Sequence, residues 1–144
     1  MAFVKVMIVD DDLRFVETMS RRLARSDLSV EQALSGSEAL EKLQKDHDID
    51  IVILDMDLPG TDGVLTLSEI KKSHPLVEVI ALTDPATVDS AIEALKFGAY
   101  DYMTRPCNMD ELIVKIAEAA ARKAHHEEKI LQATAQAISL SGPE

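Results

Sequence analysis

Apolar residues fall along this chain in short unbroken runs, separated by longer stretches where they recur every three to four positions. Val4-Lys5-Val6-Met7-Ile8-Val9, Ile51-Val52-Ile53-Leu54 and Val77-Glu78-Val79-Ile80-Ala81-Leu82 are rich in β-branched residues and too short for helices. They read as strands buried on both faces. Leu28 to Leu34 and Tyr100 to Thr104 are shorter candidates for a second and a fifth strand.

The intervening stretches have helical spacing. Phe15, Val16, Met19 and Leu23 share one face, with Arg21, Arg22 and Arg25 outside and near the helix end. Ser35-Gly36-Ser37 turns the chain into a helix carrying Leu40 and Leu43 inward, and a third begins at Asp62 or Gly63, carries Leu65, Leu67 and Ile70, and stops before Pro75. A fourth starts near Pro85, presents Val88, Ile92 and Leu95, and ends at Phe97, where Gly98 supplies a left-handed stop. Asn108 is an N-cap for the last helix, with Asp110 and Glu111 in its first turn and Leu112, Ile113, Ile116 and Ala120 inward. Nothing from Ala121 to Ile138 breaks this helix, although its apolar stripe thins after Lys123, and Ser139 to Glu144 is expected to be loose. Strands alternating with helices imply an α/β fold, a doubly wound five-stranded parallel sheet with right-handed crossovers. The expected organisation is one compact domain over 1–121 and a helical C-terminal extension with a loose tail over 122–144.

At 144 residues the chain buries roughly 68–70% of its unfolded surface without needing a disulfide or structural metal. Aromatic residues make up 3% and Trp is absent, so the core must be aliphatic. A formal net charge of −11 argues against direct nucleic-acid binding and against anionic membranes, both of which require clustered Lys and Arg. Cys107 is the only cysteine, which excludes an internal disulfide and suits a reducing cytosol. The chain opens on a strand with no leader-like segment, and no apolar run approaches the ~18–20 residues of a membrane span. A cytoplasmic protein is expected.

Candidate chemistry comes from where the strands end. In a parallel sheet all carboxyl ends lie on one edge, which collects Asp10, Asp11 and Asp12 from the first strand, Asp55 from the third, Thr83 from the fourth and Arg105 from the fifth. Crowded carboxylates raise one another's pKa unless a cation neutralises them. Mg²⁺ suits such a site because it takes oxygen ligands and needs only one or two carboxylates plus water. A hydroxyl and a guanidinium opposite the metal leave room for an anion, which suggests phosphoryl transfer onto Asp55 as nucleophile. Taken singly, each acid could instead be a helix cap or a solvated loop residue, and Asp12 fits a cap at the start of the first helix.

The spacing also resembles a known family, over about residues 3 to 121. Asp10-Asp11 after a β-branched run, Asp55 followed by Pro59 and Asp62-Gly63, Thr83 and Tyr102 are together similar to the receiver domain of two-component response regulators, relatives of the chemotaxis response regulator. The resemblance implies a flavodoxin-like strand order 2-1-3-4-5. It implies that Asp55 is phosphorylated by a sensor histidine kinase or histidine phosphotransfer protein, the domain catalysing its own phosphorylation and dephosphorylation. Asp11, Asp55 and the carbonyl of Asp57 would ligate Mg²⁺, with Asp10 acting through water, while Thr83 is the switch hydroxyl and Tyr102 the aromatic that rotates on activation. Asp57 occupies a position that tunes how fast the phosphoryl group is lost. Output to an unknown downstream protein is expected through the face of the fourth helix, fifth strand and fifth helix.

Arg105-Pro106-Cys107 stands where family members carry Lys-Pro-Phe. Arg keeps the charge and can hold a phosphate bidentately, but it is not interchangeable with an ammonium. Asp84 follows Thr83 where a small residue is usual; it could cap the next helix, obstruct the phosphodonor or pair with Arg105. These departures motivate a second reading, a degenerate receiver that serves as a phosphorylation-independent interaction module. A third is enzymatic, because Asp55-Met56-Asp57 resembles the first motif of haloacid-dehalogenase-type phosphatases, although the acid cluster lies upstream and 144 residues hold no substrate cap. Cys107 reads as a small buried hydrophobe, and His47, His74, His125 and His126 as solvated surface. Ile130, Thr134 and Ile138 form a thin stripe that suits either a homodimer through the C-terminal helix or the stub of a linker to an effector domain.

Overall fold

The computed structural model describes residues 4–58, 63–84 and 88–140. Pro59, Gly60, Asp62, Pro85 and the segment 141–144, on which some of the expectations above fall, lie outside these residues. The element order is β1 (Lys5–Val9), α1 (Leu13–Ala24), β2 (Ser29–Ala33), α2 (Gly36–Lys45), β3 (Ile51–Asp55), α3 (Gly63–Ser73), β4 (Glu78–Thr83), α4 (Val88–Lys96), β5 (Asp101–Thr104) and α5 (Met109–Leu140). The sheet order is β2-β1-β3-β4-β5 with every pair parallel, as the alternation and the family resemblance required.

The central strands are apolar on both faces because helices cover both. Met7, Val9, Val52 and Leu54 point to the side of α2 and α3, where they meet Ala39, Leu43, Leu67 and Ile70. Val6, Ile8, Ile51, Ile53 and Ile80 point the other way, to Val16, Met19 and Leu23 of α1 and to Leu112, Ile116 and Ala119 of α5. Each such aliphatic side chain contributes about 1.5–3 kcal/mol on burial, so the aromatic-poor composition is no handicap.

Side-chain caps fix where the helices begin. Asp12 Oδ1 accepts from Phe15 N–H at 3.2 Å, Ser35 Oγ from Glu38 N–H at 3.1 Å, and Asn108 Oδ1 from Glu111 N–H at 3.0 Å. Gly98, with φ of 105°, takes the left-handed conformation that stops α4.

Three expectations fail in detail. Leu65 is exposed on α3 and Thr66 is buried in its place. Among the described side chains of α4 the buried ones are Ala91 and Ala94, whereas Ile92 and Leu95 are 49% and 41% exposed. Small residues let a short helix sit close to the sheet, and the larger side chains are left facing outward. Finally, Ser139 and Leu140 are helical rather than loose.

α5 is continuous over 32 residues, or about 48 Å at 1.5 Å per residue. Its packing on the domain ends at Lys123, which is 8% exposed. The Lys123 ammonium lies 2.9 Å from Asp50 Oδ1 and 3.3 Å from Glu127 Oε1, so a charged residue closes the apolar stripe. Beyond it only His126 is half-buried among the described residues, and the helix projects past the sheet edge opposite the acid cluster. No described helix is long and apolar enough to cross a membrane.

Candidate functional site

β1 and β3 are adjacent, so their carboxyl ends deliver Asp10 and Asp55 side by side. The strands bury what they deliver: Asp10 is 2% and Asp55 6% exposed. Local backbone turns hold each carboxylate, Asp10 Oδ1 accepting from Asp12 N–H at 3.0 Å and Asp55 Oδ1 from Asp57 N–H at 2.9 Å. Asp11 is exposed beside them, and Asp10, Asp11 and Asp55 each offer an oxygen within 4.8 Å of the others. A hard divalent cation fits three such oxygens from mixed buried and exposed carboxylates, with room on the exposed side for water.

Arg105 is the counter-charge. Its Nη2 donates to Asp10 Oδ2 at 2.5 Å and lies 3.3 Å from Asp55 Oδ1. The guanidinium carbon sits over the Phe15 ring, 4.6 Å from its centroid, so α1 also supports the arginine. Burial opposes the charge on Arg105, but the hydrogen bond and attraction from Asp10, with Asp55 behind it, raise its pKa and keep it protonated. Asp55 moves upward as well. Burial raises its carboxyl above the ordinary range, the Asp57 N–H pulls it back, Asp10 raises it again and Arg105 lowers it. Asp55 is therefore more basic than a solvated aspartate.

Thr83 ends β4 on the same edge and is wholly buried, yet its Oγ1 has no hydrogen-bond partner among the described residues. A buried hydroxyl without a partner is costly and calls for a ligand. The carbonyl of Thr83 accepts from Arg105 N–H at 2.9 Å, which ties the end of β4 to the start of the β5–α5 connection. Asp57 is aimed elsewhere by its side chain: Oδ2 accepts from Asp84 N–H at 3.1 Å and so links the loops after β3 and β4. Tyr102 is half-buried on β5, beside Ala81 in the register, packed against the core face that holds Ala94.

Asp10, Asp11, Asp55 and Arg105 are thus brought into direct contact or metal-ligating proximity. Asp57 joins them through its backbone N–H, and Thr83 through the shared strand edge. Asp12 is the helix cap that its spacing suggested. Burial raises the pKa of the Cys107 thiol, Glu111 raises it further and Arg105 lowers it, so the group stays protonated.

Phe15 was not visible as a site residue in the sequence, and Gly63 was visible only as part of a motif. Phe15 read as one more core position of α1, and nothing local announces its contact with a residue on the far side of the chain. Gly63 had a signal in the Asp62-Gly63 pair, and the structure gives its reason. A Cβ there would lie 2.5 Å from the Met56 carbonyl oxygen, so only glycine lets α3 start this close to the loop after Asp55. A cleft of about 460 Å³ opens beside the acids, lined by Phe15, Met19, Arg22, Asp84, Arg105 and Cys107.

Comparison with known proteins agrees with this geometry. The family profile described as response regulator receiver domain matches residues 6–117. The transcriptional regulatory protein ZraR of Klebsiella oxytoca is 33% identical over 139 residues, covering 96% of this chain and 31% of that protein. The DNA-binding transcriptional regulator NtrC of Escherichia coli K12 is 33% identical over 138 residues, covering 96% of this chain and 28% of that protein. The chain therefore spans less than a third of the length of these relatives. Among solved structures, a response regulator receiver domain protein from Clostridium thermocellum superimposes with a TM-score of 0.81 at 33% identity, covering 85% of this chain and 98% of that one. NtrX of Brucella abortus, crystallised with ADP, gives 0.82 at 26% identity over 88% of this chain and 29% of that one.

Proposed function

The chain belongs to the response regulator receiver domain family of two-component signalling, and on that premise we propose that Asp55 accepts a phosphoryl group from the histidine of a sensor kinase or phosphotransfer protein. The observation that carries this reading is the set of unmet demands at one strand edge. A buried, unusually basic carboxylate and a guanidinium in contact with it share a strand edge with a buried hydroxyl that has no partner among the described residues. A phosphoryl group bonded to the carboxylate would offer oxygens to the other two.

Asp55 attacks phosphorus as a carboxylate, the Asp55 oxygen–phosphorus bond forming as the phosphorus–nitrogen bond to the donor imidazole breaks, and the imidazole takes up a proton as it leaves. The oxygen bonded to Asp57 N–H is held in place, leaving the other to react. Thr83 Oγ–H would donate to a phosphoryl oxygen, exchanging an unpaired buried hydroxyl for a charge-assisted hydrogen bond. Arg105 would neutralise the remaining charge. Asp10, Asp11 and Asp55, with the backbone carbonyl of Asp57, would hold Mg²⁺, which when bound neutralises charge developing on the phosphoryl oxygens. Asp57 and Asp84, coupled through a hydrogen bond, border the entry and would govern water access and so the lifetime of the acyl phosphate.

Binding the phosphoryl group through Thr83 would draw on the end of β4 and, through the Thr83 carbonyl, on β5. Tyr102 on β5 and the exposed Ile92 and Leu95 on α4 lie along that route, which supports output through the α4–β5–α5 face to a downstream protein. The projecting part of α5, with Ile130, Leu131 and Ile138 at 53%, 68% and 67% exposure, suits a second copy of this chain or a following segment.

Phosphotransfer from a purified, autophosphorylated histidine kinase tests the reading. The expected product is a hydroxylamine-labile acyl phosphate on the wild type that is absent from Asp55→Asn. Transfer to another residue would refute Asp55 as the acceptor, and no transfer while the fold is intact would make the chain an interaction module that does not use phosphate.

A further inference from the structure

Arg105 is assigned above to a phosphoryl group, yet its guanidinium already has partners. Nη2 bridges Asp10 Oδ2 at 2.5 Å and Asp55 Oδ1 at 3.3 Å. Those two carboxylates are also two of the three whose oxygens fall within 4.8 Å of one another. One guanidinium nitrogen serves both acids while the guanidinium carbon sits over the Phe15 ring, 4.6 Å from its centroid. An ammonium could make the same bridge but lacks the plane that lies on the ring.

We infer that Arg105 is a tethered cation that competes with the divalent metal for Asp10 and Asp55, so that metal loading and release of the guanidinium toward the phosphoryl side of Asp55 are one event. The inference rests on the reading that the acid pocket takes a metal, and it gives that reading an order of events. Without metal, two buried carboxylates side by side need a positive charge, and Arg105 provides it. An arriving cation must displace a charge-assisted hydrogen bond and a stacked guanidinium, and its apparent affinity falls by the fraction of molecules in which Arg105 has left. Once displaced, Arg105 has lost its carboxylate partners, and a phosphoryl oxygen is the replacement. The arginine thereby makes the acceptor ready only when the metal is present.

Magnesium titration by calorimetry on the full chain separates the alternatives, using wild type, Arg105→Gln, Phe15→Leu and Arg22→Gln. Arg105→Gln is expected to bind Mg²⁺ about tenfold more tightly than wild type. Phe15→Leu, which keeps every charge and an apolar side chain against the core but removes the aromatic face, is expected to gain about threefold. Arg22→Gln removes an equal charge from the neighbouring cleft without touching the acids, and should stay within about twofold of wild type. A second readout is thermal stability: without metal Arg105→Gln should melt below wild type, and it should gain more than wild type when Mg²⁺ is added. Equal Mg²⁺ affinity in wild type, Arg105→Gln and Phe15→Leu overturns the inference, as does a gain in Arg22→Gln matching that in Arg105→Gln. Should Arg105→Gln not fold, unchanged affinity in Phe15→Leu overturns it alone. Absence of Mg²⁺ binding in every protein, wild type included, would fail the metal reading itself and not the competition.

Discussion

Replacing Thr83 by Val should stabilise the unphosphorylated protein and disconnect it from phosphorylation. Thr83 is wholly buried at the end of β4 and its Oγ1 has no hydrogen-bond partner among the described residues. Leaving a buried hydroxyl unpaired costs about 1–3 kcal/mol, and Val has the same branched shape without that group. A gain of about 1.5 kcal/mol is therefore expected, since the strand backbone and the packing around it need not change. Unfolding entropy near the midpoint is about 2.1 cal/mol/K per residue, or about 0.25 kcal/mol/K for the roughly 120 residues that pack together. The expected rise in melting temperature is thus about 6 °C. Urea unfolding should show a higher midpoint with an unchanged slope, because the surface exposed on unfolding is the same. In parallel, hydrogen exchange across β4 and β5 should respond to phosphorylation in wild type and not in the Val variant. A Val variant less stable than wild type would refute the reasoning, because the hydroxyl would then have a partner in the resting protein and no vacancy for a phosphoryl oxygen.

Gly63→Ala is expected to cost about 2–3 kcal/mol in urea unfolding and to slow acceptor phosphorylation, since the new Cβ meets backbone atoms of Met56 at 2.5–2.9 Å and can be relieved only by moving the loop after Asp55; an unchanged midpoint would contradict this. In chelator, Asp55→Asn should be more stable than wild type at neutral pH. The Asp55 pKa is raised by burial, and the contribution of its protonated form is complete below the unfolded value of about 3.9 and lost as pH rises through the folded value. The difference should accordingly shrink on acidification, and a gap that widens would reverse the sign. Ending the chain after Ala124 removes, among the described residues, only exposed and half-exposed ones and one i,i+4 ion pair to Lys123, so domain stability should change by no more than about 0.5 kcal/mol. A larger loss would mean that the projecting helix is packed on something.

The strands were legible because burial on both faces leaves an unbroken apolar run that no solvent-facing element would carry. The strand ends followed, because a parallel sheet puts all its carboxyl termini on one edge. Helix faces were less legible where two stripes competed. On α4, Ile92 and Leu95 form the more apolar stripe, but Ala91 and Ala94 face the sheet since their size permits close approach, and the larger pair is left facing outward. Lys123 shows the opposite case: it marks the fading of a stripe in the sequence, but Asp50 and Glu127 pay for its burial and make it the last point of attachment. At the site, Asp10, Asp11, Asp55 and Thr83 could be grouped from position alone. The bridge from Arg105 to Asp10 and its support by Phe15 could not, because both join residues some ninety positions apart. Contacts of that kind have no local pattern.

The most direct test of Asp55 as phosphoacceptor is intact mass after incubation with acetyl phosphate and Mg²⁺, for wild type and Asp55→Asn. The expected result is one added phosphoryl group on wild type, absent from the variant and from wild type in chelator. An unmodified wild type under these conditions, or equal modification of Asp55→Asn, would contradict it.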